Sequence, residues 1–427
     1  MYQLAQKLPW TAIEKDFEGY YSKLGQPAKP TRLMVGLLML KQLENLSDEG
    51  AVERWCENPY RRAAPYQFFC GMATFQWQLP CHPTDLVYFR KRIGKQGAEK
   101  LLFYSLHIHP QEARIVEQVL LDTTVQEKNI TAAATAYPTD AKLAIRVIDK
   151  CRKIAAKESV ELRQSYRRVV KRHLLNQRFA THPKYRKKAR ASLRSLKTIA
   201  GRLIRELRRK LPTDSLIYYR TDLQRFERVI RQQRTDKDKI YSLHEPDVAC
   251  IIKGKVAKNY EFGSKAPLAL TKQSNLIVGV ASFKGNPHDS NTLEETLRAV
   301  ERTAGQRPEE GICDRGYRGK AKVGPTQISI PKARKHQNNY QKQKTRKKFR
   351  RRAAIEPVIG HAKQNFCLGR NYLKGFLGDE INLNLAAMAF NLRSWIREIN
   401  AIFVSWLQQR FFALIKLVNA KPRLLQG

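Results

Sequence analysis

The sequence predicts an α/β protein: a strand-bearing core, preceded by helices and interrupted by a long basic helical insertion. Three observations predict it. Short β-branched or apolar runs bounded by Gly, Lys and Asn recur along the chain, among them EQVLLDTTV, VACIIKGK, NLIVGVASFKG and GIC. Residues 1–110 carry helical periodicity instead, and so does the stretch between the first two strand-like runs. That stretch holds 23 Lys and Arg against four acids from Arg146 to Lys210, a net charge of +19. A chain of 427 residues has room for two or three domains of roughly 100 to 200 residues each.

Charge narrows the partner. Eighty Lys and Arg against 38 Asp and Glu give a formal charge of +42, far more than solubility requires. A polyanion is implied, with nucleic acid ahead of an anionic membrane surface because no lipidation motif is present. The seven cysteines, at 56, 70, 81, 151, 250, 313 and 367, form no CxxC pair and no Cys/His ligand spacing. They read as small buried apolar residues of a reducing compartment. MYQLAQKLPW lacks a signal pattern, and the apolar segment AIFVSWLQQRFFALIKLV is interrupted by Gln408, Gln409, Arg410 and Lys416. A buried amphipathic helix is expected there, in a cytoplasmic, nucleoid-associated protein.

In chain order, TAIEKDFEGYY sets Ile13, Phe17, Tyr20 and Tyr21 at helical spacing, and PTRLMVGLLMLKQLEN is an apolar helix starting at Pro30 and Thr31. SDEGAVERWCENPY puts Val52, Trp55 and Cys56 on one side, and PTDLVYFRKRIGKQG is expected to expose Arg90, Lys91 and Arg92. Short helices with basic tips suit a helix-turn-helix DNA reader and a plain bundle alike. EQVLLDTTV is a central strand expected to end at Asp122 and Thr123. Within the insertion, about 145–240, Leu193, Leu196, Ile199, Leu203 and Leu207 keep helical period. They predict a hairpin broken near Thr181, His182 and Pro183, continued through Leu223, Phe226, Val229 and Ile230, whose basic face binds phosphates.

VACIIKGK, EFGSKAPLALTK and NLIVGVASFKG can pair as an antiparallel meander. DSNTLEETLRAVERTAG follows as a helix, with Asp289 or Ser290 as N-cap and Leu293, Leu297 and Val300 facing inward. GICDRGYRG then ends a buried strand at Asp314 and turns outward through Gly316 and Gly319, and TQISIP is a further strand. KARKHQNNYQKQKTRKKFRRR, residues 332–352, has 11 Lys and Arg and no acid, and is expected to stay mobile until DNA neutralises it. RRAAIEPVIGHAK carries Glu356 on a helix, and INLNLAAMAFNLRSWIRE is an apolar helix suited to the back of a sheet.

Asp122, Asp314 and Glu356 therefore fall on two strand ends and a late helix. The element order matches a ribonuclease-H-like fold, in which such a trio can share two Mg²⁺ or Mn²⁺ ions, hard cations that prefer carboxylate oxygens. His361 and His288 read as satisfied polar groups, and Asp140 as a helix cap. Glu245 and Asp247 are rival acids without a motif.

The segments LLDTT, YPTDAK, ICDRGYRG and R-x3-E-x6-K, from Arg352 through Glu356 to Lys363, resemble the DDE transposases of bacterial insertion sequences, specifically the IS-five group of the IS-four-like superfamily. The likeness runs from PYQFFCG and FRKRIG to LNLAAMAFNLR. It implies that Asp122, Asp314 and Glu356 are the catalytic metal-binding acids, with two Mg²⁺ or Mn²⁺ ions as cofactors. Arg352 and Lys363 match the basic residues flanking the glutamate, while Phe349 stands where relatives have Tyr, so any hydroxyl that relatives offer to DNA there is absent. Arg315, Arg318, Lys347 and Lys348 join them as expected DNA contacts. The implied activity is binding of inverted-repeat ends, phosphodiester cleavage and joining of 3′-hydroxyls to target DNA, by a homodimer. The expected division is 1–110 for DNA binding, 111–400 for catalysis and 401–427 as a terminal helix and tail. A ribonuclease-H-like nuclease without strand transfer, and an inactive DNA-binding relative, remain as alternatives.

Overall fold

A computed structural model describes every residue except 23, 25–26, 58–63, 130–138, 234, 237, 253–259, 332–337 and 420–427. The chain forms two compact units. The first joins Met1–Glu127, Lys265–Phe283 and Pro287–Gly427; the second joins Lys128–Ser264 and Lys284–Asn286.

The first unit opens with six helices: α1 (Tyr2–Lys7), α2 (Trp10–Glu18), α3 (Thr31–Leu43), α4 (Asp48–Cys56), α5 (Ala64–Phe69) and α6 (Pro83–His107). Ile13, Phe17, Val52 and Trp55 are buried at the spacing the sequence sets. A capping box at His82 and Asp85 starts α6, and Gly94, with φ of 57°, kinks it within the FRKRIG segment. Arg90 departs from expectation. Instead of reaching solvent it is 4% exposed and grips Asp48 with both terminal nitrogens, at 2.7 and 2.6 Å. Lys91 and Arg92 are exposed.

Strand β1 (Gln118–Glu127) follows and runs past Asp122 instead of ending there. After the second unit, the chain returns through β3 (Tyr260–Thr271) to β4 (Ile277–Val280), α11 (Asp289–Ala304), β5 (Glu310–Ile312), β6 (Lys322–Val323) and β7 (Thr326–Ser329). The sheet runs β3-β1-β5-β7-β6, with β4 on β3 and a further strand, Ala249–Ile252, on the outer side of β3. It is mixed: β1 and β7 lie parallel to β5, whereas β4 and β6 are antiparallel to their partners. Strand alternation divides β1 between two cores. Leu120 faces the helices α1–α6 and the C-terminal helices, and Val119 and Leu121 face Leu293, Leu297 and Val300 of α11. The N-cap of α11 is His288, whose ring accepts from Ser290 N–H, in place of Asp289 or Ser290.

The basic run forms a helix, α12 (Asn339–Arg352), where mobility was expected; residues 332–337 lie outside the described residues. Few of its side chains are apolar, but Phe349 packs against the core and Arg351 donates to Gln273 O at 2.7 Å and Asn275 Oδ1 at 2.8 Å. Next come α13 (Ile355–Asn365) and α14 (Gly375–Asn419). The start of α14 buries Leu383, Leu385, Met388 and Leu392, whereas residues 401–410 of the same helix are exposed. Residues 401–410 of the terminal apolar segment are thus the solvent-facing continuation of a core helix, not part of a separate buried one.

In the second unit, α7 (Asp140–Lys157), α8 (Arg167–Asn176), α9 (Arg186–Lys210) and α10 (Thr213–Arg231) enclose a core of their own. A hairpin was expected; four helices meet because α7 and α8 also carry apolar faces, with Leu143, Val147, Cys151 and Val170 buried against α9 and α10. Leu196, Ile199, Leu203 and Leu207 of α9 point inward, and Arg186, Arg190, Arg194, Arg202 and Arg205 are exposed. Strand β2 (Ala249–Ile252) pairs antiparallel with the start of β3; the KGK that follows it lies outside the described residues. Among the described residues no helix is long and apolar enough to cross a membrane.

Candidate active site

Register brings two acids together. β1 and β5 pair in parallel as Gln118 with Glu310, Val119 with Gly311 and Leu120 with Ile312, and the same offset carried forward sets Asp122 beside Asp314. The strands approach closely because Gly311 has no side chain: a Cβ there would lie 2.8 Å from Leu121 Cδ1. Asp314 then caps a 3-10 turn, Arg315–Tyr317, accepting from Gly316 N–H at 2.8 Å. This turn exposes Arg315 and Arg318 and buries Tyr317.

The third acid arrives from α13, where Glu356 lies in the first turn. One helical turn earlier, Arg352 ends α12 and joins all three. Its Nη2 lies 2.5 Å from Asp122 Oδ2 and 3.7 Å from Asp314 Oδ2, and its Nη1 is 3.9 Å from Glu356 Oε1. The side chains of Arg352 and Asp122 are 17% and 16% exposed, whereas that of Glu356 is 69% exposed. The guanidinium is therefore the electrostatic centre of the site, and Asp122 is its tightest partner.

The sequence reading missed a fourth acid. Asp289, in the first turn of α11, accepts at Oδ1 from Thr123 Oγ1 (2.7 Å) and pairs with Lys265 Nζ (2.5 Å). Local sequence could not reveal this, since Asp in a helix's first turn is commonplace. His288 bonds Ser290, and His361 is 3.4 Å from Asn365, so neither joins the acids. Asp140 follows the cap residue Thr139 and pairs with Lys239; Glu245 and Asp247 pair with Lys128 and Lys284 within the second unit.

Among the described residues no three His, Cys, Asp or Glu side chains are placed so that they could hold a metal ion as they stand. The donor set nonetheless suits a hard divalent cation, since Asp122, Asp314 and Glu356 offer only carboxylate oxygens. Burial pushes the Cys313 and Tyr317 pKa values up, and Asp314 and Asp122 add to it, which keeps both protonated. Tyr317 Oη is buried beside these acids without a hydrogen-bond partner among the described residues. A buried O–H donor of this kind fits the ordered water a hydrated cation brings.

Two family models match the chain. Residues 1–92 match the one described as Transposase domain (DUF772), and residues 228–392, which include Asp314, Arg352 and Glu356, match the one described as Transposase DDE domain. The chain belongs to the DDE transposases. This transposase is also similar to a curated Rhizobium meliloti protein described as uncharacterized protein ORF8 in nfe locus. The two are 42% identical over 184 residues, spanning 42% of this chain and 84% of that protein. No solved structure matches.

DNA is the partner that the family implies, and its members generally use divalent metals. The cations expected to meet DNA are of two kinds in this transposase. Lys347, Arg315 and Arg318 are exposed, and Lys363 is half-buried in the last turn of α13. Lys348 is instead engaged with Glu310 and Ser329, so it fastens α12 to the edge formed by the ends of β5 and β7. Between α12 and that edge lies a cavity of about 1090 Å³ lined by Lys344, Arg346, Lys347, Lys348, Arg350 and Arg351, among others. Its cationic wall favours phosphate.

Proposed function

We propose that this transposase binds the inverted-repeat ends of an insertion sequence, cleaves the phosphodiesters there, and joins the freed 3′-hydroxyls to target DNA. The observation that carries the reading is the gathering of Asp122, Asp314 and Glu356 about Arg352. In this reading the core is ribonuclease-H-like, the chain falls in the IS-five group, and the three acids hold two Mg²⁺ or Mn²⁺ ions. The ions would supply charge stabilisation for the attacking and leaving oxygens. Asp122 and Asp314, on adjacent strands, form the rigid side of the site, and exposed Glu356 forms the side that opens to DNA. Arg315, Arg318, Lys347, Arg352 and Lys363 bind and orient the phosphates; Lys348 contributes when phosphate competes with Glu310 for its ammonium. The basic face of α9 adds affinity without sequence preference.

Two ends must be cut and joined together, which calls for a homodimer. The solvent-facing part of α14, with Ile402, Phe403, Trp406 and Leu407 between 45% and 65% exposed, supports a second copy as the partner. Residence in the cytoplasm on the nucleoid follows from the DNA role.

The test uses purified protein, Mg²⁺ or Mn²⁺, and linear DNA carrying the element's ends, with Asp314→Ala as control. Cleaved and joined products that disappear in the variant support the reading. Cleavage without joining would make the protein a nuclease, and binding without either reaction a DNA-binding relative.

A further inference from the structure

The acids about Arg352 do not exhaust the negative charge at this end of the sheet. Asp289 reaches the Asp314 turn at Gly316. An ideal Cβ on Gly316 would be 2.8 Å from Asp289 Oδ2 and 3.0 Å from Asp314 Oδ1, so the two carboxylates meet over one glycine. Asp289 is also fixed to β1, because its other oxygen accepts from Thr123, the residue next to Asp122. Lys265, 8% exposed, holds the same oxygen and donates to Pro287 O at 2.5 Å. A fourth acid clustered with Asp122 and Asp314 is by itself only a cluster. The Tyr317 hydroxyl adds an independent sign of a ligand: it is buried, lacks a hydrogen-bond partner among the described residues, and feels the charges of Asp122, Asp289 and Asp314 together.

We propose that Asp289 is a fourth acidic residue of the divalent-cation site, and that Lys265 competes with the cation for its carboxylate. The proposal rests on the reading that Asp122 and Asp314 hold a divalent cation. Asp289 then acts beside Asp314: Oδ2 strengthens the negative field at the site, and the Oδ1 bonds to Thr123 and Lys265 hold it in place. Lys265 sets a limit on that field.

Direct titration of the full-length protein with Mn²⁺ alone, by calorimetry or by electron paramagnetic resonance of the free ion, tests this. Asp289→Asn keeps an acceptor for Thr123 and Lys265 but removes the charge, and should weaken Mn²⁺ binding by about tenfold or more. Lys265→Met removes the competitor and should strengthen it several-fold. Opposite changes in affinity are expected even if both variants melt at lower temperature, as loss of a buried ion pair demands. Asp122→Asn is the control for the underlying reading. If it abolishes binding while Asp289→Asn and Lys265→Met bind like the parent, Asp289 is structural and the proposal fails alone. Should Asp289→Asn not fold, unchanged affinity in Lys265→Met is enough to overturn it. If the parent protein binds no Mn²⁺, the proposal and the reading beneath it fall together.

Discussion

Replacing Arg352 by Ala removes a cation that joins the three acids, and its effect can be worked from their distances. The 2.5 Å contact with Asp122 is a charged hydrogen bond between side chains 17% and 16% exposed, a setting worth roughly 1.5 to 3 kcal/mol. Asp314 and Glu356, at 3.7 and 3.9 Å, are 39% and 69% exposed, so solvent screening leaves each at most about 1 kcal/mol. The loss should total about 3 kcal/mol, and a unit of this size should melt about 6 °C lower in a chelating buffer. Mn²⁺ should then raise the melting temperature of the variant more than that of the parent, because its carboxylates have lost their internal counter-charge. Arg352→Lys should fall between, since an ammonium cannot span the site as a planar fork does. Circular dichroism melts with and without the ion measure all of this. Equal melting of Arg352→Ala and the parent in chelator would refute the view that Arg352 neutralises the site.

Other expectations concern His109, Gly279 and the arginines of α9. Burial holds the His109 pKa below its ordinary 6.5, opposed by its bond to Asn391 O and by Glu398. The unfolded chain then takes up a proton that folded His109 resists. Stability should be complete above pH 6.5 and fall as pH drops towards the folded value; His109→Gln should flatten urea midpoints measured across that range. Gly279→Ala would set a Cβ 2.5 Å from Val300 Cγ2 and 2.8 Å from its backbone nitrogen, costing about 1 to 3 kcal/mol in thermal melts; an unchanged melt would show that α11 and β4 can separate freely. Arg186, Arg190 and Arg194 replaced together by Ala should keep the helix yet lower the slope of log binding constant against log salt by about 0.9 for each phosphate that these arginines neutralise. An unaltered slope would remove α9 from the DNA surface.

Much of this was legible because it is local or periodic. The strand ending in ICD, the meander before α11 and the inward leucines of α9 follow from alternation and helical spacing, and R-x3-E sets Arg352 one turn from Glu356. What escaped depends on partners distant in sequence. Arg90 reads as a basic tip, but Asp48, 42 positions earlier, draws it into the core. Asp289 reads as a helix-start residue, and only tertiary placement of Thr123, Lys265 and Gly316 turns it toward Asp314. Residues 339–352 have the composition of a mobile segment, yet Lys348, Phe349 and Arg351 dock the helix despite it. The far part of α14 is as apolar as a core helix, so periodicity alone could not tell that it leaves the core.

The path of the chain into and out of its helical insertion has an architectural consequence. β1 ends at Glu127, β3 is its neighbour in the sheet, and Lys128 N–H donates to Phe262 O at 2.9 Å, so the ends of the inserted segment already touch. Closing such a segment demands little additional entropy however many residues it contains. To the sheet, Lys128–Ser264 is an insertion that brings an independent helical core together with the end strand β2 and the start of β3. That makes its helical part, α7 to α10, an exchangeable cartridge: it can be lengthened or trimmed while the pairing of Asp122 with Asp314, set by β1 and β5, stays in register.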